Sequence, residues 1–233
     1  MKAFFKMKNI TDIFFDLDHT LWDFDANSVL AFDKIFKKNH PTIDTKKFIE
    51  IYAPINQSCW KLYQVDKITH QELRYNRLRQ SFDVLNYSIS DDEIDKISDD
   101  YITFLPDNNQ LFEGAIEVLE YLTPKYNLHI ITNGFAEVQG KKINNSGLAD
   151  YFKTITNSEM AGVKKPHQNI FKYALSLANT KKGNAIMIGD CIDADVRGAI
   201  DFGMKAILFD EKGIYTEEGL HTINHLLELK KIL

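Results

Sequence analysis

Five short apolar runs spaced along the chain constrain its fold more than any other feature. They are TDIFFD (Thr11–Asp16), NLHIIT (Asn127–Thr132), FKTIT (Phe152–Thr156), NAIMIGD (Asn184–Asp190) and KAILFD (Lys205–Asp210). Mostly without polar alternation, they suit strands buried on both faces. Helix-length amphipathic segments separate the later ones. In FEGAIEVLEYL, Ala115, Val118, Leu119 and Leu122 fall at i, i+3, i+4 and i+7. In NIFKYALSLAN, Ile170, Phe171, Ala174 and Leu175 share one helical face. Such alternation predicts an α/β fold, a parallel sheet wrapped by helices.

One interval breaks the rhythm. From about Asn27 to Leu105 only helical patterns occur, including NSVLAFDKIFKKN, KKFIEIYAPINQSCWKLYQ, THQELRYNRLRQSFDVL and SDDEIDKISDDYITFL. Thr69 and Ser90, followed three residues on by Glu72 and Glu93, form capping-box patterns. The reading is a helical insertion over residues 25–106 in an α/β core made of residues 1–24 and 107–233. Ligands of a parallel sheet sit outside the strand carboxyl ends, and an insertion leaving there would roof them.

Composition narrows the partners. Against 28 lysines and arginines stand 33 aspartates and glutamates, a formal net charge of −5, and no concentrated basic stripe appears. That argues against a nucleic-acid partner but leaves room for a local site for small anions. Cys59 and Cys191 lie far apart and outside any zinc pattern, so a reducing compartment is expected. The N-terminal MKAFFKMKNI is too weakly apolar for a secretory signal, and no run reaches membrane-spanning length. A cytoplasmic chain without a membrane partner is expected.

The chemistry-bearing residues fall at the ends of the expected strands. Asp16-Leu-Asp18-His-Thr20 ends the first, Thr132-Asn133-Gly134 the second, Lys164-Lys165-Pro166 follows the third, and Asp190, Asp193 and Asp195 follow the fourth. Carboxylates, a hydroxyl, an amide and an ammonium thus meet at one rim. A carboxylate nucleophile, a second carboxyl group for proton transfer, a divalent cation and phosphoryl-oxygen donors together suit phosphoryl transfer. An EF-hand does not fit: counting from Asp16, positions 6 and 12 are Leu21 and Asn27 rather than Gly and Glu. Asp193 is expected to cap a helix, His19 to make a local contact, and Cys191 to pack rather than react.

These motifs resemble those of the haloacid dehalogenase-like (HAD) superfamily, in order and over nearly the whole chain. The matches are DxDxT at Asp16–Thr20, Thr132-Asn133, Lys165-Pro166 and GDxxxxD ending at Asp195. The resemblance implies a Rossmann-like core of the HAD type with an α-helical cap, and Mg2+ as cofactor. It further implies that Asp16 is nucleophile and metal ligand, and that Asp18 is general acid/base and lends the metal its backbone carbonyl. Thr132, Asn133 and Lys165 would bind phosphate, Asp190 would be the third protein ligand, and Asp195 would support the metal's water shell or the lysine. Lys165 is chosen over Lys164 because the family's lysine directly precedes proline.

Asp18 also selects among the family's reactions. The dehalogenases and ion-pumping ATPases have no acid there, whereas phosphatases and phosphomutases do. The general texture and the arginine-rich helix resemble the house-cleaning pyrimidine 5′-nucleotidases, which implies a nucleoside 5′-monophosphate as substrate. A sugar-phosphate or other small-metabolite phosphatase, a phosphomutase and a non-catalytic binding protein are the alternatives. Trp60, Tyr63, Arg74 and Arg77 are the candidates for reading the substrate, by stacking or by gripping a polar edge. Any one of them also suits an ordinary helix face. Monomer and homodimer are both compatible with the sequence.

Overall fold

The apolar runs pair into a single six-stranded parallel sheet in the computed structural model, which describes residues 9–215, 217 and 219–233. Met1 to Lys8 of the N-terminal stretch lie outside the described residues. The strands are β1 (Asp12–Phe15), β2 (Asn127–Thr132), β3 (Phe152–Asn157), β4 (Ala185–Gly189), β5 (Lys205–Phe209) and β6 (Thr222–Ile223), in the order β3-β2-β1-β4-β5-β6. β1 is central, with Phe15 beside Ile130 of β2 and Ile188 of β4. Ile13, Phe14 and Phe15 are fully buried, as strands covered on both faces require. The two-residue β6 has no counterpart among the expected strands, being too short to carry a periodic signal.

The chain divides into two compact units, Met1–Asp23 with Gln110–Leu233, and Phe24–Asn109. In the first, the segments on either side of the insertion run side by side. Asp23 N–H donates to the Gln110 carbonyl at 3.0 Å and Phe112 N–H to that of Leu21 at 3.0 Å. The second unit is four helices, α1 (Phe24–Asn39), α2 (Thr45–Gln64), α3 (His70–Val84) and α4 (Asp91–Phe104). Thr69 and Ser90 form complete capping boxes with Glu72 and Glu93, starting α3 and α4. The core of this unit is aromatic. Around Phe32 lie Phe48, Tyr52 and Tyr101 at ring separations of 4.8, 4.8 and 4.4 Å.

Around the sheet pack α5 (Ala115–Leu122), α6 (Ala136–Asn145), α7 (Ser158–Ala161), α8 (Gln168–Leu177) and α9 (Gly198–Phe202). α5 buries Ala115, Val118, Leu119 and Leu122, and α8 buries Ile170, Phe171, Ala174 and Leu175, the faces read from the sequence. Phe14, Ile131, Met187 and Leu208 from the strands share a core cluster with Phe171 and Ala174 from α8. Each of these side chains larger than alanine contributes about 1.5–3 kcal/mol by leaving water. Among the described residues, no helix is long and apolar enough to cross a membrane.

At the amino end of β1, Asp12 is buried and accepts from Thr11 at 2.6 Å, Thr180 at 2.7 Å and Asn127 at 3.2 Å. His129 Nε2 is 3.2 Å from the same carboxylate, and its Nδ1 is 2.8 Å from the Thr154 hydroxyl. A carboxylate only accepts, so Nε2 carries the proton and Nδ1 accepts from Thr154. Burial pulls the His129 pKa down, against the pull of Asp12. Burial also pushes Asp12 up, but its donors outweigh burial and hold it below the ordinary 3.8. The resulting stability is present above 3.8 and is lost as pH falls through the lower folded value. Asp12→Ala should cost about 2–3 kcal/mol at neutral pH, since its donors lose their acceptor. In urea titrations the gap to wild type should narrow below pH 3.8.

Candidate active site

β1, β2 and β4 run parallel, so their carboxyl ends open on one rim, where ligands of such sheets sit. Asp16 follows β1 directly and its N–H donates to the Ile188 carbonyl at 2.8 Å, tying it to β4. Lys165 reaches the same point from the segment after α7, with its side chain only 3% exposed. Its ammonium donates to Asp16 Oδ1 at 2.6 Å and to the Ile131 carbonyl at 2.7 Å, and forms an ion pair with Asp195 Oδ1 at 2.6 Å. Two of the three ammonium hydrogens are thereby placed in hydrogen bonds.

Asp195 is aimed by a wide π-type turn, Ile192–Arg197, that follows β4. Its Oδ2 accepts from Cys191 N–H at 3.1 Å. Gly189 makes the approach possible, because a β-carbon there would lie 2.3 Å from Asp195 Oδ2. Asp190 stands between, with the Thr20 hydroxyl 3.4 Å from its Oδ1. Asp16, Asp190 and Asp195 each offer an oxygen within 4.8 Å of the others. Three carboxylates around one ammonium leave two negative charges uncompensated, the right number and donor type for one divalent cation.

Burial and that excess together shape the protonation equilibria. Burial pushes Asp16 up to about 7, with Lys165 pulling it back and Asp195 and Asp18 adding repulsion. Burial, then the charges of Asp195 and Asp16, push Asp190 well above the carboxylate range. Burial works against the Lys165 charge, but Asp16 and Asp195 hold its pKa above the ordinary value. The thiol of half-buried Cys191, pushed up by desolvation and by the charges of Asp195 and Asp190, has a pKa of about 12 and stays protonated.

Asp18 lies outside this cluster with donors of its own. Lys142 Nζ donates to its Oδ1 at 2.6 Å and Gln139 Nε2 to its Oδ2 at 2.8 Å. Gln139 Nε2 also reaches Thr132 Oγ1 at 2.7 Å, and Gly134 N–H donates to that hydroxyl at 3.0 Å. Asn133 turns its amide to the backbone of Lys165. It donates to the Lys165 carbonyl at 3.0 Å and accepts from the Lys165 N–H at 2.8 Å.

With this geometry established, comparison with known proteins places the chain. Residues 12–203 match the family model of the haloacid dehalogenase-like hydrolases. The chain belongs to this family. It is 31% identical to the pyrimidine 5′-nucleotidase YjjG of Escherichia coli K12 over 95% of this chain and 96% of that protein. It is also 31% identical to the glyceraldehyde 3-phosphate phosphatase of Pyrococcus furiosus, over 97% and 94% of the two chains. Among solved structures, the HAD-hydrolase YfnB of Bacillus subtilis, bound to magnesium, superposes with a TM-score of 0.87. The identity there is 27%, covering 97% of this chain and 99% of that one.

In this HAD-like chain the rim brings together Asp16, Asp18, Thr132, Asn133, Lys165, Asp190 and Asp195. Trp60, Tyr63, Arg74 and Arg77 belong to the helical unit. Trp60 and Tyr63 meet edge to face at 5.5 Å. Arg74 pairs with Asp99 and donates to Ser98 Oγ at 3.1 Å. Arg77 is 2% exposed and donates to Asn56 Oδ1 at 3.3 Å, with its guanidinium 5.0 Å from the Tyr101 ring centroid. Both arginines are thus built into the packing of their own unit. Asp193 is no helix cap: it pairs with Arg197 at 2.8 Å, and Cys191 occupies the capping position.

Gln139 and Lys142 escape a sequence reading. Both sit on the buried face of α6 with Val138 and Ile143. In the sequence that looks like an amphipathic stripe spoiled by two polar residues. Only their i, i+3 spacing hints at a shared polar target. Gly189→Ala should drive a methyl group into the Asp195 carboxylate. A loss of about 1–3 kcal/mol in denaturant titrations is expected, together with a fall in turnover.

Proposed function

We propose that the chain is a magnesium-dependent phosphomonoesterase with Asp16 as nucleophile, acting on pyrimidine nucleoside 5′-monophosphates. The observation that carries the reading is the buried cluster of Asp16, Asp190 and Asp195 around Lys165, with two negative charges left over. Asp16 and Asp190, with the backbone carbonyl of Asp18, would hold Mg2+, and Asp195 would support them. When bound, the ion neutralises the charge that otherwise sets the carboxylates against a phosphate dianion.

The residues then divide the work. An Asp16 carboxylate oxygen forms a bond to phosphorus as the bond from phosphorus to the ester oxygen breaks. Asp18 hands its proton to the departing oxygen, which leaves as an alcohol. The resulting Asp18 carboxylate takes a proton from water as that water attacks phosphorus, releasing inorganic phosphate and restoring Asp16. Thr132, Asn133 and Lys165 donate to the phosphoryl oxygens as charge spreads over them.

Substrate choice is assigned to the helical unit as a cap, because it is inserted directly after the segment bearing Asp16 and Asp18. The nucleotide reading draws on the likeness to YjjG. The equal identity to a glyceraldehyde 3-phosphate phosphatase supports a second reading, a small sugar-phosphate substrate.

Purified protein with magnesium should release phosphate from p-nitrophenyl phosphate, and EDTA should stop it. Asp16→Asn should lose on the order of 10³-fold or more in kcat while melting as wild type does; turnover like wild type would remove Asp16 from its role. A screen of nucleotides and sugar phosphates should favour UMP, dUMP or dTMP. A clear preference for sugar phosphates would sink the nucleotidase reading alone.

A further inference from the structure

α6 carries two donors that no motif of the rim includes, and their geometry is specific. Lys142 has a side chain 3% exposed, with its ammonium 2.6 Å from Asp18 Oδ1 and 4.1 Å from the centre of the Trp22 ring. Gln139 is 1% exposed and divides one amide nitrogen between Asp18 Oδ2 and Thr132 Oγ1. Asp18 as a carboxylate can only accept, which fixes the NH2 end of Gln139 at this junction. The space for it exists because residue 134 is glycine, since a β-carbon there would lie 2.1 Å from Gln139 Nε2.

Two consequences follow from counting donors and acceptors. The Thr132 oxygen accepts from both Gln139 and Gly134 N–H, which occupies its two lone pairs. Its own proton is left to point away from both, as a donor. The Asp18 carboxylate, in turn, is pinned at each oxygen, so its orientation is set by α6 rather than by its loop.

We propose that Gln139 and Lys142 are positioning residues. Together they aim Asp18 at the ester oxygen of the substrate, and Gln139 also holds Thr132 as a donor to the phosphoryl group. The inference rests on the roles of Asp16 and Asp18 given above and extends them to a helix outside the four motifs. A merely structural pair would tie α6 to the β1 loop and affect all substrates alike.

Leaving-group dependence separates the two. A nitrophenolate departs without a proton, whereas an alkoxide needs one, and kcat/KM reports the steps up to that departure. In Lys142→Met and in Gln139→Leu, the ratio of kcat/KM for a 5′-nucleotide to that for p-nitrophenyl phosphate should fall by about 30-fold, a part of the roughly 10²–10⁴-fold that a placed general acid supplies. Lys142→Arg should restore most of the ratio. Gln139→Leu alone should also weaken inhibition by inorganic phosphate. A ratio within about threefold of wild type in both variants overturns the proposal, and either variant suffices if the other fails to fold. If wild type hydrolyses neither ester, or Asp16→Asn remains active, the parent reading fails instead.

Discussion

Lys165 places its ammonium, almost wholly out of water, between Asp16, Asp195 and the Ile131 carbonyl, and the other features of the rim are arranged around that contact. A buried cation left without partners would cost several kcal/mol. Here hydrogen bonds to groups at the ends of β1 and β2, and an ion pair with the turn after β4, hold it. Asn133 fixes the Lys165 backbone from both sides, and Gly189 clears the path by which Asp195 arrives. The ion cluster is therefore also a structural joint, drawing three strand ends to one point.

The rim separates its charges into two groups. Around Lys165 the carboxylates outnumber the cation, and burial and repulsion raise the pKa of Asp16 and Asp190. That imbalance is costly in an empty site and suits a site that takes up a divalent cation. Asp18 pairs with Lys142 instead, beside the Trp22 ring. Two carboxylates one residue apart in sequence thus meet different surroundings. The proposed division between nucleophile and proton carrier rests on that difference.

Much of this was legible in the amino-acid sequence because it depends on local pattern. Buried strands read as unbroken apolar runs, the faces of α5 and α8 show the helical period, and Thr69 and Ser90 announce α3 and α4. The rim residues were readable because most stand at a strand's end or just after it. What stayed hidden depends on partners far away along the chain. Lys142 and Gln139 gain meaning only beside Asp18, and His129 only beside Asp12. The wide turn after β4 defeated the expectation for Asp193, because its extra width places Cys191, not the aspartate, at the turn's first N–H groups. For Arg74 and Arg77, charge and spacing do not announce the contacts with Asp99, Ser98 and Asn56 that each makes within its own unit.

The central claim is that Asp16 becomes phosphorylated, and the most direct measurement is a rapid acid quench during the first turnover of p-nitrophenyl phosphate, followed by peptide mass mapping. The account predicts a phosphoryl group on the peptide bearing Asp16, appearing with the burst of nitrophenolate. A nitrophenolate burst with the phosphoryl group on a different residue, or on none, would contradict it.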